Sequence, residues 1–330
     1  MAELLSTSPG DIERAGRALR EGLLVAFPTE TVYGLGAKAT DTHALARVFE
    51  AKRRPTFDPL IVHIAEVDAL ATVADLSQLA ADRRELVQRL ISALWPGPLT
   101  LILPKQPSIP DLATSGLSTA AVRLPAHPVA QALIRAAGVP VAAPSANPFG
   151  YISPTMAEHV AEMLKDKIEL ILDGGKSVFG IESTIVSMKN DDVFIHRHGA
   201  ISKEEISEAV GDVYDVKDKG ICESPGSLPY HYSPHKPLKI INSPLEIETD
   251  NSCLLAFKSP SIRVISRYVR VLSEKGDLRE AATNFFSYLI ELDKKDVDLI
   301  YAEKISEKGL GRAMMERLKK ASKKHRYITL

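Results

Sequence analysis

Lys52-Arg53-Arg54-Pro55, followed by Thr56-Phe57-Asp58-Pro59 and the apolar run Leu60-Ile61-Val62 ending in His63, is the stretch of this sequence best equipped for chemistry. Three consecutive cations enter a proline-bounded loop, and a strand-like run delivers an imidazole behind them. The 330 residues hold 41 Lys and Arg against 42 Asp and Glu, so no global excess of positive charge accounts for the cluster. A local concentration of cations on a near-neutral background fits an anionic ligand such as phosphate, carboxylate or nucleic-acid backbone. Lys and Arg also favour the last turn of a helix, where they meet the negative end of its dipole. On this stretch alone the two readings stand level.

Other loops carry further candidates. Pro28-Thr29-Glu30-Thr31-Val32-Tyr33-Gly34-Leu35-Gly36 offers hydroxyls, one carboxylate and two glycines directly after an apolar run. Strand ends of this kind are where α/β proteins commonly hold ligands, and glycine permits close approach. Arg123 stands among small and apolar residues in Ala121-Val122-Arg123-Leu124-Pro125. A buried charge there requires a fixed anion, either a ligand or a structural Asp or Glu. Ser145 and Asn147 in Pro144-Ser145-Ala146-Asn147 share a face if the segment is extended. Ser153-Pro154-Thr155 reads as a helix cap whose free N–H groups also suit a phosphate. Glu182-Ser183-Thr184 and His196-Arg197-His198-Gly199 complete the set. His63 has two readings, a packed and hydrogen-bonded core side chain or a ligand contact, and the burial habits of histidine favour the first. The inventory contains no paired acids, no Ser-His-Asp spacing and no CxxC, so it suits binding and orienting several anions rather than hydrolysis by a protein nucleophile.

The elements that must position these residues follow from pattern. Hydrophobic content of 45% and charged content of 25% place the chain among ordinary globular proteins, long enough for two domains. Cys222 and Cys253 are the only cysteines and form no scaffold or metal spacing, which fits a reducing compartment. No run approaches the roughly 18 apolar residues of a membrane span, and the N-terminus lacks a signal-peptide pattern, so the expected location is cytoplasmic with no membrane contact. Helices are predicted after Ser8, after Asp41 or Thr42, over Asp75–Leu94, after Ser153 and over Lys203–Val210. Between them, Leu23–Phe27, Leu60–Ile64, Leu99–Pro104, Ser118–Leu124, Val139–Ala143, Ile168–Leu172 and Ile185–Ser187 read as strands. Residues 213–235 have few periodic apolar positions and read as a linker. Beyond it, strands at Leu238–Ile241, Cys253–Phe257 and Val297–Tyr301 alternate with helices carrying Leu278 to Leu292 and Leu310 to Leu318, the pattern of a small Rossmann-like α/β domain. Gly309-Leu310-Gly311 lacks the third glycine of a dinucleotide fingerprint. Lys319-Lys320 and Lys323-Lys324-His325-Arg326 read as a solvated helix end, with weak RNA contact as the other option.

Taken in order, the Pro28–Leu35, Lys52–Pro55, Pro59–His63, Ala121–Pro125, Pro144–Asn147 and Glu182–Thr184 segments resemble the YrdC/Sua5 family, L-threonylcarbamoyladenylate synthases that serve the t6A37 modification of tRNA. The likeness is dense over residues 8–200. It continues through Ser224-Pro225-Gly226 and His231-Tyr232-Ser233-Pro234, which resemble the interdomain linker of the longer, two-domain Sua5 type. It implies an α/β fold, a YrdC-like twisted open mixed sheet with helices around a concave basic cavity over residues 1–212. A linker over 213–235 and a Sua5-type Rossmann-like domain over 236–330 would follow. It implies condensation of L-threonine, bicarbonate or CO2, and ATP to L-threonylcarbamoyl-AMP with release of pyrophosphate. Mg²⁺ would enter through the ATP phosphates with no protein side-chain ligands, and a tRNA-modifying threonylcarbamoyl transferase complex would act downstream.

By the same resemblance Thr31, His63, Arg123, Ala143 and Ser183 would hold threonine and its carbamate. Lys52, Arg54, Ser145 and Asn147 would face the phosphates and the reacting centre. Asp58, Thr119, Ser153 and Arg197 would contact the nucleotide, with His231 and Tyr232 closing over it. Asp58 stands where the family usually has Asn, His198 where it has Pro, and Ser227-Leu228-Pro229-Tyr230 replaces a Met-containing spacer. The competing class is a non-catalytic RNA-binding module using the basic groove, for which stacking aromatics are sparse. Carbamoyl transfer in hydrogenase maturation lacks the zinc-finger and acylphosphatase-like segments expected there.

Overall fold

A computed structural model describes residues 2–189, 192–216 and 232–323. His231, Cys222 and most of the expected linker lie outside the described residues, as do Lys324, His325 and Arg326 of the basic tail.

Eleven strands form one mixed sheet: β1 (Glu3–Leu5), β2 (Val25–Phe27), β3 (Gly34–Lys38), β4 (Ile61–His63), β5 (Leu99–Pro104), β6 (Thr119–Arg123), β7 (Val141–Ala142), β8 (Leu170–Leu172), β9 (Thr184–Lys189), β10 (Asp192–Arg197) and β11 (Val213–Asp215). Their order is β1-β8-β2-β3-β7-β4-β6-β5-β9-β10-β11. Short, wholly apolar strands such as Val25-Ala26-Phe27 are buried on both faces by helices, as their unbroken apolar pattern requires. The predicted helix starts after Ser8 and Asp41 are real, since each side chain accepts hydrogen bonds from the first-turn N–H groups. Ser202 and Glu205 form a reciprocal capping box before the Lys203–Val210 helix.

Several segments differ from expectation. Gly34 to Gly36 belongs to β3 rather than to a loop, with extended backbone. Close packing explains its glycines, because a Cβ on Gly36 would sit 2.9 Å from Phe27 Cε1 and 3.0 Å from Val141 Cγ1. The single helix expected over Asp75–Leu94 divides into a 3₁₀ turn at Leu76–Gln78, capped by Asp75, and a helix at Ala81–Leu94. Ser153 does not cap the following helix, which starts at Ala157 behind Met156 without a side-chain cap. Val213–Asp215, assigned by pattern to the linker, pairs in parallel with β10 as the edge strand β11.

The second sheet, β12 (Leu238–Ile241), β13 (Ser252–Ala256), β14 (Tyr268–Val271) and β15 (Leu299–Glu303), is wholly parallel in the order β12-β15-β13-β14. Helices Leu278–Asp293 and Leu310–Lys323 pack on it. Their apolar faces also meet the first sheet's loops. One buried cluster runs from Val32, Ile152, Ile181 and Ala200 through Tyr232 to Phe285, Phe286 and Met314. Among the described residues no helix is long and apolar enough to cross a membrane.

Candidate functional site

Strand order assembles the site. β4 and β6 lie side by side in parallel, with His63 opposite Arg123. β7 runs antiparallel to β3 and β4 on the other side. Its continuation is tied in by Ala143 N–H to the Ile61 carbonyl (2.9 Å) and Leu35 N–H to the Pro144 carbonyl (2.8 Å). Residues 59–63, 123, 143–145 and 182–183 therefore converge at one end of the sheet although they are far apart in sequence.

A cleft there is walled by Thr31, His63, Arg123, Ala143 and Ser183, all five residues assigned to threonine and its carbamate. Arg54, Ser145, Arg197 and Tyr232 from the other two groups share the same wall. Lys52, Asp58, Thr119, Asn147 and Ser153 do not line the cleft.

Lys52 is buried behind Ser145. Its Nζ donates to the Ser145 carbonyl at 2.6 Å and to the Asn147 carbonyl, while the Lys52 carbonyl accepts from Phe149 N–H at 2.8 Å. It thereby stitches the 145–149 loop to the Thr42–Lys52 helix. Burial, with the nearby Arg54 charge adding to it, holds the Lys52 amine well below the usual lysine range, and Asp58 opposes the shift. Ser145 and Asn147 do not share an extended face. Asn147 N–H bonds back to the Ser145 carbonyl (3.0 Å), and the Asn147 amide turns into the loop to reach the carbonyls of Pro148 and Tyr151.

Asp58 is fully buried and forms an ion pair with Arg54 (2.9 Å), whose guanidinium also donates to the carbonyls of Asp58 and Pro59. The acid at the usual Asn position thus offsets an arginine of the cleft wall. Thr119 opens β6 opposite Pro104. Ser153 donates to Glu182 Oε1 at 2.6 Å.

Arg123 is the centre of the threonine group. Nη1 donates to Thr31 Oγ1 (3.0 Å), Nε to the Gly97 carbonyl (3.3 Å), and Nη2 stands 2.6 Å from Glu30 Oε1 as an ion pair. The Glu30–Arg123 contact is close, but its angle falls outside hydrogen-bond geometry. Burial by itself would raise the Glu30 carboxyl, yet Arg123 together with the backbone N–H groups of Ala126 and Glu30 outweighs it and the net shift is downward. The anion that Arg123 required is therefore, in the first instance, a protein carboxylate. His63 bonds through Nδ1 to the Ile61 carbonyl (3.1 Å). Burial, followed by the neighbouring Arg123 charge, holds its pKa down to about 3, so the ring is neutral at physiological pH. Ser183 Oγ shares a hydrogen bond with Thr100 Oγ1 (2.8 Å) and accepts from Arg197 Nη2 (3.0 Å).

The residue pattern left three participants without a role. Glu30 figured only as a loop carboxylate, and Glu182 only as part of a motif. Arg317, fully buried and bonded to Glu182, was not singled out. Its signal was available, because an arginine between Met314 and Leu318 on an apolar helix face poses the same question as Arg123 on its strand. Among the described residues no cluster of three or more His, Cys, Asp or Glu side chains is arranged to hold a metal ion.

Comparison with known proteins places this geometry. The family described as Telomere recombination matches residues 17–199, and the family described as Threonylcarbamoyl-AMP synthase, C-terminal domain, matches residues 201–323. A threonylcarbamoyl-AMP synthase of Bacillus subtilis is 40% identical, covering 96% of this chain and 94% of its own length. One of Pyrococcus abyssi is 42% identical, with 94% of each chain covered. The crystal structure of P. abyssi Sua5 complexed with L-threonine superposes with a TM-score of 0.89 at 38% identity, over 97% of this chain and 98% of that one.

Proposed function

The chain belongs to the Sua5/YrdC family of threonylcarbamoyl-AMP synthases, in its two-domain form, and from that premise we propose how the cleft carries out the synthesis. The enzyme makes L-threonylcarbamoyl-AMP, and L-threonine is its amino-acid substrate. In our reading Arg123, Thr31 and Ser183 bind the threonine carboxylate and hydroxyl. The neutral His63 imidazole offers a hydrogen-bonding nitrogen without adding charge. The threonine amine takes up bicarbonate or CO2 to give a carbamate, with loss of water when bicarbonate is used. A carbamate oxygen then attacks the α-phosphorus of ATP, the bond to the β-phosphate oxygen breaks, and pyrophosphate leaves.

No protein nucleophile is needed, since the work is to bring anions together and hold them in line. Arg54 and Arg197 on the cleft wall, with Ser145 between strand ends, would offset the repulsion between carbamate and triphosphate. Positioning of this kind supplies up to about 7–11 kcal/mol of barrier reduction. We assign Lys52 and Asn147 to shaping the 145–149 loop around the phosphates, with Asp58 tuning Arg54 and Ser153 holding Glu182. Mg²⁺ carried on the triphosphate would supply charge neutralisation and leaving-group stabilisation. We further propose that the product passes in the cytoplasm to a threonylcarbamoyl transferase complex acting on tRNA.

The observation that carries this reading is the Arg123 side chain, in register with His63 and bonded to Thr31, in one cleft with Arg54, Ser145 and Arg197. Mass spectrometry of the product from labelled threonine and ATP, with pyrophosphate release measured while each reactant is omitted in turn, tests it. Release should require threonine, bicarbonate, Mg²⁺ and ATP together, and Arg54→Ala and Lys52→Ala should each lower it at least tenfold. Release indifferent to threonine would refute it.

A further inference from the structure

We propose that Arg317, in the Leu310–Lys323 helix of the C-terminal domain, is a positioning residue for the synthase cleft: it neutralises and pins Glu182, an acid of the cleft wall 135 residues away in sequence. Arg317 Nε and Nη2 lie 3.2 and 3.1 Å from Glu182 Oε2, and Nη1 donates to the His198 carbonyl at 2.6 Å. The other Glu182 oxygen accepts from Ser153. One guanidinium thus ties together the two chain segments, entering β9 and leaving β10, that present Ser183 and Arg197. Its carbon also sits 5.0 Å from the centre of the Tyr232 ring, so it bears on a third wall residue.

The chemistry explains why an arginine is needed at this place. A cleft that gathers a carboxylate, a carbamate and a triphosphate is a poor site for an uncompensated glutamate. Arg317 is 1% exposed and Glu182 5%, so solvent does little to screen either charge. The first domain pairs Glu30, which stands behind the cleft wall, with its own Arg123, whereas for the wall acid Glu182 the cation comes from the second domain. A neighbouring bridge supports the same docking, with Asp215 on β11 meeting His198 (2.7 Å) and Arg312 (3.5 Å) of the same helix. The C-terminal domain is on this view part of the active site.

The inference rests on the synthase reading, and the full-length protein tests it through Arg317→Met, Glu182→Gln and the double variant. The KM for ATP, kcat and the thermal midpoint are measured for each. Arg317→Met should raise the KM for ATP about tenfold, the effect of one unit charge roughly 10 Å away at an effective dielectric near 20. The double variant, which has lost both charges, should return to within about threefold of the parent KM even if its midpoint stays low. A purely structural contact would instead leave the double variant as impaired as Arg317→Met, and that result, or an unchanged KM in Arg317→Met, overturns the proposal. If Arg317→Met does not fold, Glu182→Gln decides: with the Arg317 charge released, the KM for ATP should fall about threefold while kcat drops. An equal or higher KM then refutes the assignment. A parent protein that forms no threonylcarbamoyl-AMP would instead sink the synthase reading.

Discussion

His63 stays neutral because burial and the Arg123 charge bring its pKa from 6.5 down to about 3. As the pH falls through that window, the unfolded chain takes up a proton that the folded chain refuses. The stability present above pH 6.5 is therefore progressively lost toward pH 3. Each pH unit is worth about 1.4 kcal/mol. In urea unfolding at pH 6.5 and pH 5, the parent should lose about 2 kcal/mol more than His63→Gln, which has no proton to gain. Equal losses would mean that His63 is not held neutral. The same reasoning explains the other buried charges: Arg54 with Asp58 and Arg123 with Glu30 are tolerated because each has a partner within 3 Å.

At the scale of elements, the cleft depends on turns that approach one another closely. Gly199, at the turn after β10, has no room for a side chain, since a Cβ would lie 2.3 Å from the Glu182 carbonyl oxygen and 2.4 Å from the Ser183 carbonyl carbon. These are backbone atoms and cannot swing aside, so the whole Glu182-Ser183 turn would have to shift. Gly199→Ala should accordingly lower kcat/KM at least tenfold, in keeping with the cost of displacing positioning groups by about 1 Å. Steady-state kinetics checks this, and activity within twofold of the parent would show that the turn can move without consequence. Strand register acts in the same way, because the β4–β6 pairing sets His63 beside Arg123 and a shift of one residue would turn one of them to the opposite face.

At the scale of the molecule, the two sheets share one apolar cluster, with Phe286 stacked 5.9 Å from Tyr232 and packed on Phe285. A further tie crosses the same boundary. Tyr151 donates to Asp293 (2.7 Å), and the Asp293 carboxylate also receives the backbone N–H groups of His235 and Lys236. Unfolding should therefore be a single transition for both domains. Phe286→Ala should cost about 3–5 kcal/mol in that transition. Hydrogen exchange would also report faster opening around Ile181 and Ala200 in the first domain. Two separate transitions, or unaltered protection of the first domain, would show the domains to be independent.

Helix caps at Ser8 and Asp41 and most strand positions were legible in the sequence, as was the presence of an arginine on a buried strand. Capping chemistry and apolar periodicity are decided within a few residues of chain. The order of loops also carried the family resemblance, and with it the reaction. What lay beyond local pattern was the pairing of charges. Glu30 meets Arg123, Lys52 holds the carbonyls of Ser145 and Asn147, and Arg317 meets Glu182 across 135 residues. A buried charge announces that it needs a partner, but strand order and the docking of one domain on the other select which partner arrives. The division between wall residues such as Ser145 and supporting ones such as Asn147 was likewise decided by tertiary structure, because a turn that closes on its own carbonyl reverses the facing that an extended strand would impose.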